Sequence, residues 1–180
     1  MKLIVGLGNP GKEYERTRHN VGFFVLEVLH EKLKEERMNA WELSKKFNAT
    51  IAGCTVNNDK IILAKPMTFM NDSGLSVQLL MHFYKMNAAD LIVVHDDKDI
   101  PLGTFKIQTD RGAAGHNGVL SIIEHIGSQA FTRIRIGIAP VNPKKMKDVS
   151  TFVLGKFGLF EKNAVVAVIE KVVEEIIKKL

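Results

Sequence analysis

A chain of 180 residues, 46% of them hydrophobic, can bury one good core, and nothing in its length demands a second domain. It has no apolar run of about 18 residues to span a bilayer, and its start, MKLIVGL, reads as a strand instead of a leader, so we expect an unexported protein with no membrane partner. The single cysteine, Cys54, excludes an internal disulfide and suits a reducing compartment, the cytoplasm, while a charge of +5 and a pI near 9.3 permit a polyanionic partner without requiring one.

In chain order, KLIVGL reads as a β-strand, and helical periodicity follows over 21–34. The runs FNATIAGCTV and KIILAKP read as strands, 73–85 as a helix and LIVVH as an apolar strand. GTFKIQ comes next, then a helix from about Asn117 to Ile126, the strand FTRIRIGIA and a closing helix. In that last helix Val165, Val166, Ile169, Val172, Val173, Ile176 and Ile177 recur at three- and four-residue spacing, which predicts one apolar stripe packed on a core. This alternation predicts an α/β fold in a single domain over 1–180. Asn57, Asn58 and Asp59 lie between two strand-like runs and read as a hairpin turn, so part of the sheet is antiparallel and the sheet is mixed.

GLGNPG, Gly6 to Gly11, satisfies the glycine pattern of dinucleotide-binding loops directly after a strand. In that fold the third glycine opens a helix whose N-terminus holds the pyrophosphate, whereas here KEYERTRH intervenes and Pro10 disfavours helix at Asn9. A tight turn is the better reading, and it leaves Asn9 at the C-terminal end of a strand, where open α/β sheets collect ligands.

His19 stands just before the next helix, with Asn20 as the expected N-cap and Val21, Phe24, Val25, Val28 and Leu29 as the expected buried face. The positive end of that helix, with Arg16 and Arg18, should disfavour imidazolium and leave a neutral ring able to accept a proton. Asp96, after the strand LIVV, could orient that ring and stabilise the charge it acquires. His95, Asp96, Asp97 and Asp99 are also metal-ligand types, but no paired histidine or cysteine spacing accompanies them, so no metal is expected. Asn71 in FMNDSG and Asn117 in GHNG each read as a helix cap; together with Asn9 they also offer uncharged amides suited to an ester carbonyl and an attacking water. There is no G-x-S-x-G elbow and Cys54 falls inside a strand, so direct attack by activated water is more natural than a covalent intermediate.

GLGNPGKEYERTRHNVGFFVLE, KPMTFMNDSG, VVHDDKDIPLG, GHNG and RIRIGI, in this order, closely resemble the bacterial peptidyl-tRNA hydrolase family over nearly the whole chain. The resemblance implies a mixed, twisted sheet sandwiched between helices, and hydrolysis of the ester joining a peptide to the 3′ end of tRNA. Carried over by position, His19 is the base, Asp96 its support, and Asn9, Asn71 and Asn117 hold substrate or water. Tyr14 and Phe69 line the substrate channel, and Arg135 falls on a phosphate contact. In this alignment Gln108 replaces a phosphate-contacting lysine and Leu120 a basic residue, while Lys106, Arg111 and Arg133 remain nearby. We expect a cytoplasmic monomer without cofactor, whose partner is the tRNA acceptor end with its peptide. A non-catalytic RNA-binding homologue is the alternative, and the retention of His19 and Asp96 together argues against it.

Overall fold

The computed structural model describes residues 1–142, 144 and 146–180. Seven strands, β1 (Lys2–Gly6), β2 (Glu42–Ser44), β3 (Ala49–Val56), β4 (Asp59–Pro66), β5 (Leu91–Pro101), β6 (Phe105–Thr109) and β7 (Thr132–Ala139), form one sheet in the order β2-β3-β4-β1-β5-β7-β6. The centre is parallel: β1 pairs with β4 and β5, and β5 with β7. The edges are antiparallel through β2–β3, β3–β4 and β6–β7. The predicted hairpin is present, but its turn is the two residues Asn57 and Asn58 at φ 50° and 68°, with Asp59 already in β4. Asparagine tolerates this left-handed backbone better than most side chains. The three-residue strand β2 carries no clear alternation and was not foreseen.

Helices α1 (Val21–Lys32), α2 (Ser73–Tyr84), α3 (Asn117–Ile126), α4 (Val149–Val153) and α5 (Lys162–Ile177) complete the fold. The main helices cover both faces of the sheet. On one side Val25, Leu26 and Leu29 of α1 and Val168, Val172 and Ile176 of α5 pack with Ile4, Leu63, Val94, Ile134 and Ile136. On the other, Val77 and Leu80 of α2 and Val119 and Ile122 of α3 pack with Leu3, Val5, Ala64, Leu91 and Val93. Alternate residues of each central strand thus enter opposite cores, as the pleat requires. Each fully buried Leu, Ile or Val among them contributes on the order of 1.5–3 kcal/mol. The stripe of α5 is as expected except that Val166 and Ile177 are exposed and Val168 is buried in their stead. In α1, Leu26 joins the buried face, while Phe24 and Val28 are only half-buried.

The glycine-rich turn has a packing purpose. A Cβ at Gly6 would lie 2.3 Å from the carbonyl oxygen of Gly22, and one at Gly22 would lie 2.4 Å from that of Val94 and 2.5 Å from the nitrogen of Leu7. These two glycines let α1 start hard against the ends of β1 and β5, which sets the turn bearing His19 directly above the sheet. Among the described residues no helix is long and apolar enough to cross a membrane.

Candidate active site

Pairing of β1 with β5 stops at Gly6 and Val94, while β5 runs on beside β7 as far as Pro101. HDDKD is therefore strand, not a loop after a strand, and Asp96 projects into the space left where β1 has ended. The chain leaving β1 fills one side of this space. Leu7 donates its backbone N–H to Val94 at 2.9 Å, and Asn9 follows.

Asn20 is not the side-chain cap of α1 that its position predicts. Its Oδ1 accepts from the backbone nitrogen of Asn9 and its Nδ2 donates to the carbonyl of Asn9, each at 2.9 Å. This clamp fixes Asn9, whose own Oδ1 accepts from the backbone nitrogen of Met70 at 2.8 Å. With Oδ1 committed, Nδ2 is the polar atom Asn9 retains for a substrate. The clamp ties the turn after β1 to the turn before α1, and the Met70 bond ties it to the segment before α2.

His19 sits in a single 3-10 turn, Arg18–Asn20, ahead of α1. Its Nδ1 lies 2.7 Å from Oδ1 of Asp96, which is 2% exposed. The carboxylate receives a second contact at 3.1 Å from Nε2 of His116. Burial alone would raise the pKa of Asp96, but His116 and His19 more than reverse that and hold it below the usual carboxylate range. Behind this pair His95 is buried, with its ring centroid 4.6 Å from that of His116, and burial with His116 beside it pushes His95 down to about 3. The arginines expected to repel a proton from His19 do not surround it as supposed. Arg18 turns away to Glu161 at 2.8 Å and lies over the ring of Phe152, while Arg16 is exposed.

These groups open onto a cleft of about 560 Å³. All of the predicted site residues except Arg135 line it: Asn9, Tyr14, His19, Phe69, Asn71, Asp96 and Asn117. Tyr14 and Phe69 meet edge to face, 6.3 Å between centroids, and Phe69 is 59% exposed at the rim. Neither Asn71 nor Asn117 caps a helix with its side chain: Asp72 precedes α2, and His116 is the side-chain cap of α3. Both amides are exposed at the cleft and uncommitted to capping.

Sequence reasoning does not single out His116, because in GHNG it stands beside Asn117, the better helix cap by residue type. It also missed Val149, Val153 and Leu154, the apolar wall contributed by α4 and its end. Their short segment carried no motif. His19, Asp96 and His116 hold three ligand-type atoms within 4.8 Å of one another, a spacing that a divalent ion could bridge; in this structure hydrogen bonds join them directly.

Arg135 lies outside the cleft. Its Nε and Nη2 both approach Oδ2 of Asp97 at 2.7 Å, and its Nη1 donates to Gln108. Lys106 is directly opposite it across the β6–β7 ladder and is exposed. Arg133 shares the face of Arg135, as strand alternation predicts, but is 2% exposed and bonds the carbonyls of Gly112 and Gln129. It braces the 110–114 loop, and so buried a side chain is not available to a phosphate.

A histidine backed by a buried carboxylate thus faces an open cleft rimmed by amides, an arrangement of the kind hydrolases use. Comparison with known proteins gives the family. The peptidyl-tRNA hydrolase family model matches residues 3–180, so the chain belongs to the peptidyl-tRNA hydrolase family. The peptidyl-tRNA hydrolase of Mycoplasma mycoides is 47% identical over 163 residues, 91% of this chain and 84% of that protein. That of Aquifex aeolicus is 46% identical over 179 residues, 99% of this chain and 85% of its own length. A crystal structure of peptidyl-tRNA hydrolase from Acinetobacter baumannii superposes with a TM-score of 0.85 at 35% identity, covering 97% of this chain and 85% of that one.

Proposed function

We propose that this protein hydrolyses the ester between a peptide, or an N-blocked aminoacyl group, and the 3′ end of tRNA, with His19 as the general base, and so frees tRNA from prematurely released peptidyl-tRNA. The observation that carries the reading is the 2.7 Å contact between His19 Nδ1 and Asp96 Oδ1 at the floor of the cleft. A carboxylate accepts only, so Nδ1 bears the proton and Nε2 presents its lone pair to a water. The water oxygen attacks the ester carbonyl carbon and its proton passes to Nε2. The tetrahedral intermediate then expels the ribose oxygen, which takes that proton from His19. Asp96 stabilises the transient imidazolium and is not itself protonated.

Asn9 Nδ2, held by two sets of hydrogen bonds, is a fixed donor for the substrate carbonyl, where charge develops. Asn71 and Asn117 flank it with further amides. Tyr14 and Phe69 line the same cleft as Val149, Val153 and Leu154, and these apolar side chains accommodate the peptide end. Arg135 on β7 and Lys106 opposite it on the edge strand β6 are the phosphate contacts, in place of the Gln108 position. The protein acts as a cytoplasmic monomer and needs no metal, because His19 alone supplies a base for the water.

The test is release of a blocked aminoacyl group from tRNA. His19→Ala should lower kcat roughly 10²-fold to 10⁴-fold, the usual share of general-base catalysis, with KM little changed. Near-normal turnover by a folded variant would sink the assignment, as would loss of activity on a short ester after chelation and its return with a divalent ion.

A further inference from the structure

Two histidines reach one carboxylate oxygen, Oδ1 of Asp96, His19 through Nδ1 at 2.7 Å and His116 through Nε2 at 3.1 Å. The other nitrogen of His116 decides which proton that ring carries. The backbone N–H of Val119 donates to His116 Nδ1 at 3.3 Å, which makes His116 the side-chain cap of α3. An amide N–H can only donate, so Nδ1 is a lone pair and the ring proton is on Nε2, aimed at Asp96. A second proton on Nδ1 would set donor against donor at the positive end of α3 and undo the cap. His116 is thus built as a neutral donor, whereas His19 has a free Nε2 at the cleft.

Resting on the reading of His19 as the base, we propose that His116 is a positioning residue that shares the charge of Asp96 and so weakens the hold of Asp96 on the proton that His19 must pass on. A base that later acts as acid works best when it neither refuses the proton nor keeps it. Asp96 as sole partner of His19 would favour imidazolium more strongly; a second, neutral hydrogen bond to the same oxygen draws off part of that preference. The other titratable groups around His116 do not substitute for it. His95 gives its Nδ1–H to the carbonyl of Asp96 at 2.7 Å, not to the carboxylate. Asp97 is tied to Arg135, and Lys98 lines the cleft but is paired with Asp99 at 2.7 Å.

His116→Asn separates the two tasks, since asparagine is among the best helix caps yet is too short to reach Asp96 in this geometry. In the variant, the midpoint of His19 protonation, followed by imidazole NMR, should move to higher pH by roughly one unit, with the acidic limb of the hydrolysis profile moving alongside it. Plateau kcat should fall several-fold. The direction is opposite to that of Asp96→Asn, which no general loosening of the site would produce. An unmoved midpoint, or one moved to lower pH, would overturn the proposal. Nitrogen NMR of the wild type supplies a readout that requires neither a variant nor a substrate: the neutral ring of His116 should carry its proton on Nε2, and a proton on Nδ1 would overturn the proposal. Absence of any hydrolysis by the wild type would instead refute the proposed reaction and leave the ring-proton result standing.

Discussion

Replacing Asp96 by asparagine removes one charge from a place where the structure makes that charge count. The carboxylate is 2% exposed and lies 2.7 Å from His19 Nδ1, so an imidazolium formed during water attack stands about one hydrogen bond from a fully ionised partner. Unit charges about 4 Å apart interact by about 4 kcal/mol at an effective dielectric of about 20. In the Asp96→Asn variant the new amide oxygen could still accept from both His19 and His116, so the ring orientation should survive and only the charge be lost. Water drawn in beside the uncharged amide would offset part of the roughly 4 kcal/mol, which leaves about 3 kcal/mol, or a fall in kcat of roughly 10²-fold. The acidic limb of the rate profile should also move to lower pH, because imidazolium has lost its main stabiliser. The assay is initial-rate hydrolysis of N-blocked aminoacyl-tRNA from about pH 5 to about pH 9, with circular dichroism to establish folding. A kcat within a few-fold of wild type, or a limb that stays in place, would refute the pairing of Asp96 with the base.

Arg135→Ala should weaken hydrolysis of tRNA substrates more than of a short ester and flatten the salt dependence by about one contact. Because both Nε and Nη2 of Arg135 engage Asp97, Arg135→Lys should be nearly as harmful, and an equal loss on both substrates would place the phosphate contact elsewhere. His95 is depressed to about 3 in the folded state against an ordinary value of 6.5. Below about pH 6.5 the unfolded chain binds a proton there that the folded protein refuses, so this residue should cost about 2 kcal/mol of stability between pH 7 and pH 5, with the loss continuing down to about pH 3. Urea unfolding at the two pH values checks it, and a His95→Gln variant with the same pH dependence would count against the assignment. Gly22→Ala should destabilise by about 3 kcal/mol or more, because its new Cβ would lie within 2.4–2.6 Å of backbone atoms of Val94 and Leu7 that cannot rotate aside. An unchanged urea midpoint would refute that account.

The amino-acid sequence by itself determined the α/β class, the mixed sheet, the main helices to within a few residues and seven of the residues that line the cleft. These are legible because apolar periodicity is local: the alternation in β7 and the stripe of α5 are written in consecutive residues, and motifs such as TRHN and GHNG are contiguous. Only the tertiary structure decided what the polar side chains do. Asn20 looked like a cap and is a clamp on Asn9; Arg18 and Arg133 looked like local positive charge and are committed to Glu161 and to loop carbonyls. Asp96 reads as the first residue past a strand and lies within one, because β7 continues to pair with β5 after β1 has stopped. His116 acquires its task from Val119 on one side and Asp96, twenty residues earlier, on the other. A hydrogen bond needs its partner within about 3 Å in space, whatever the separation along the chain, and no local pattern reports which distant donor or acceptor folding will bring there.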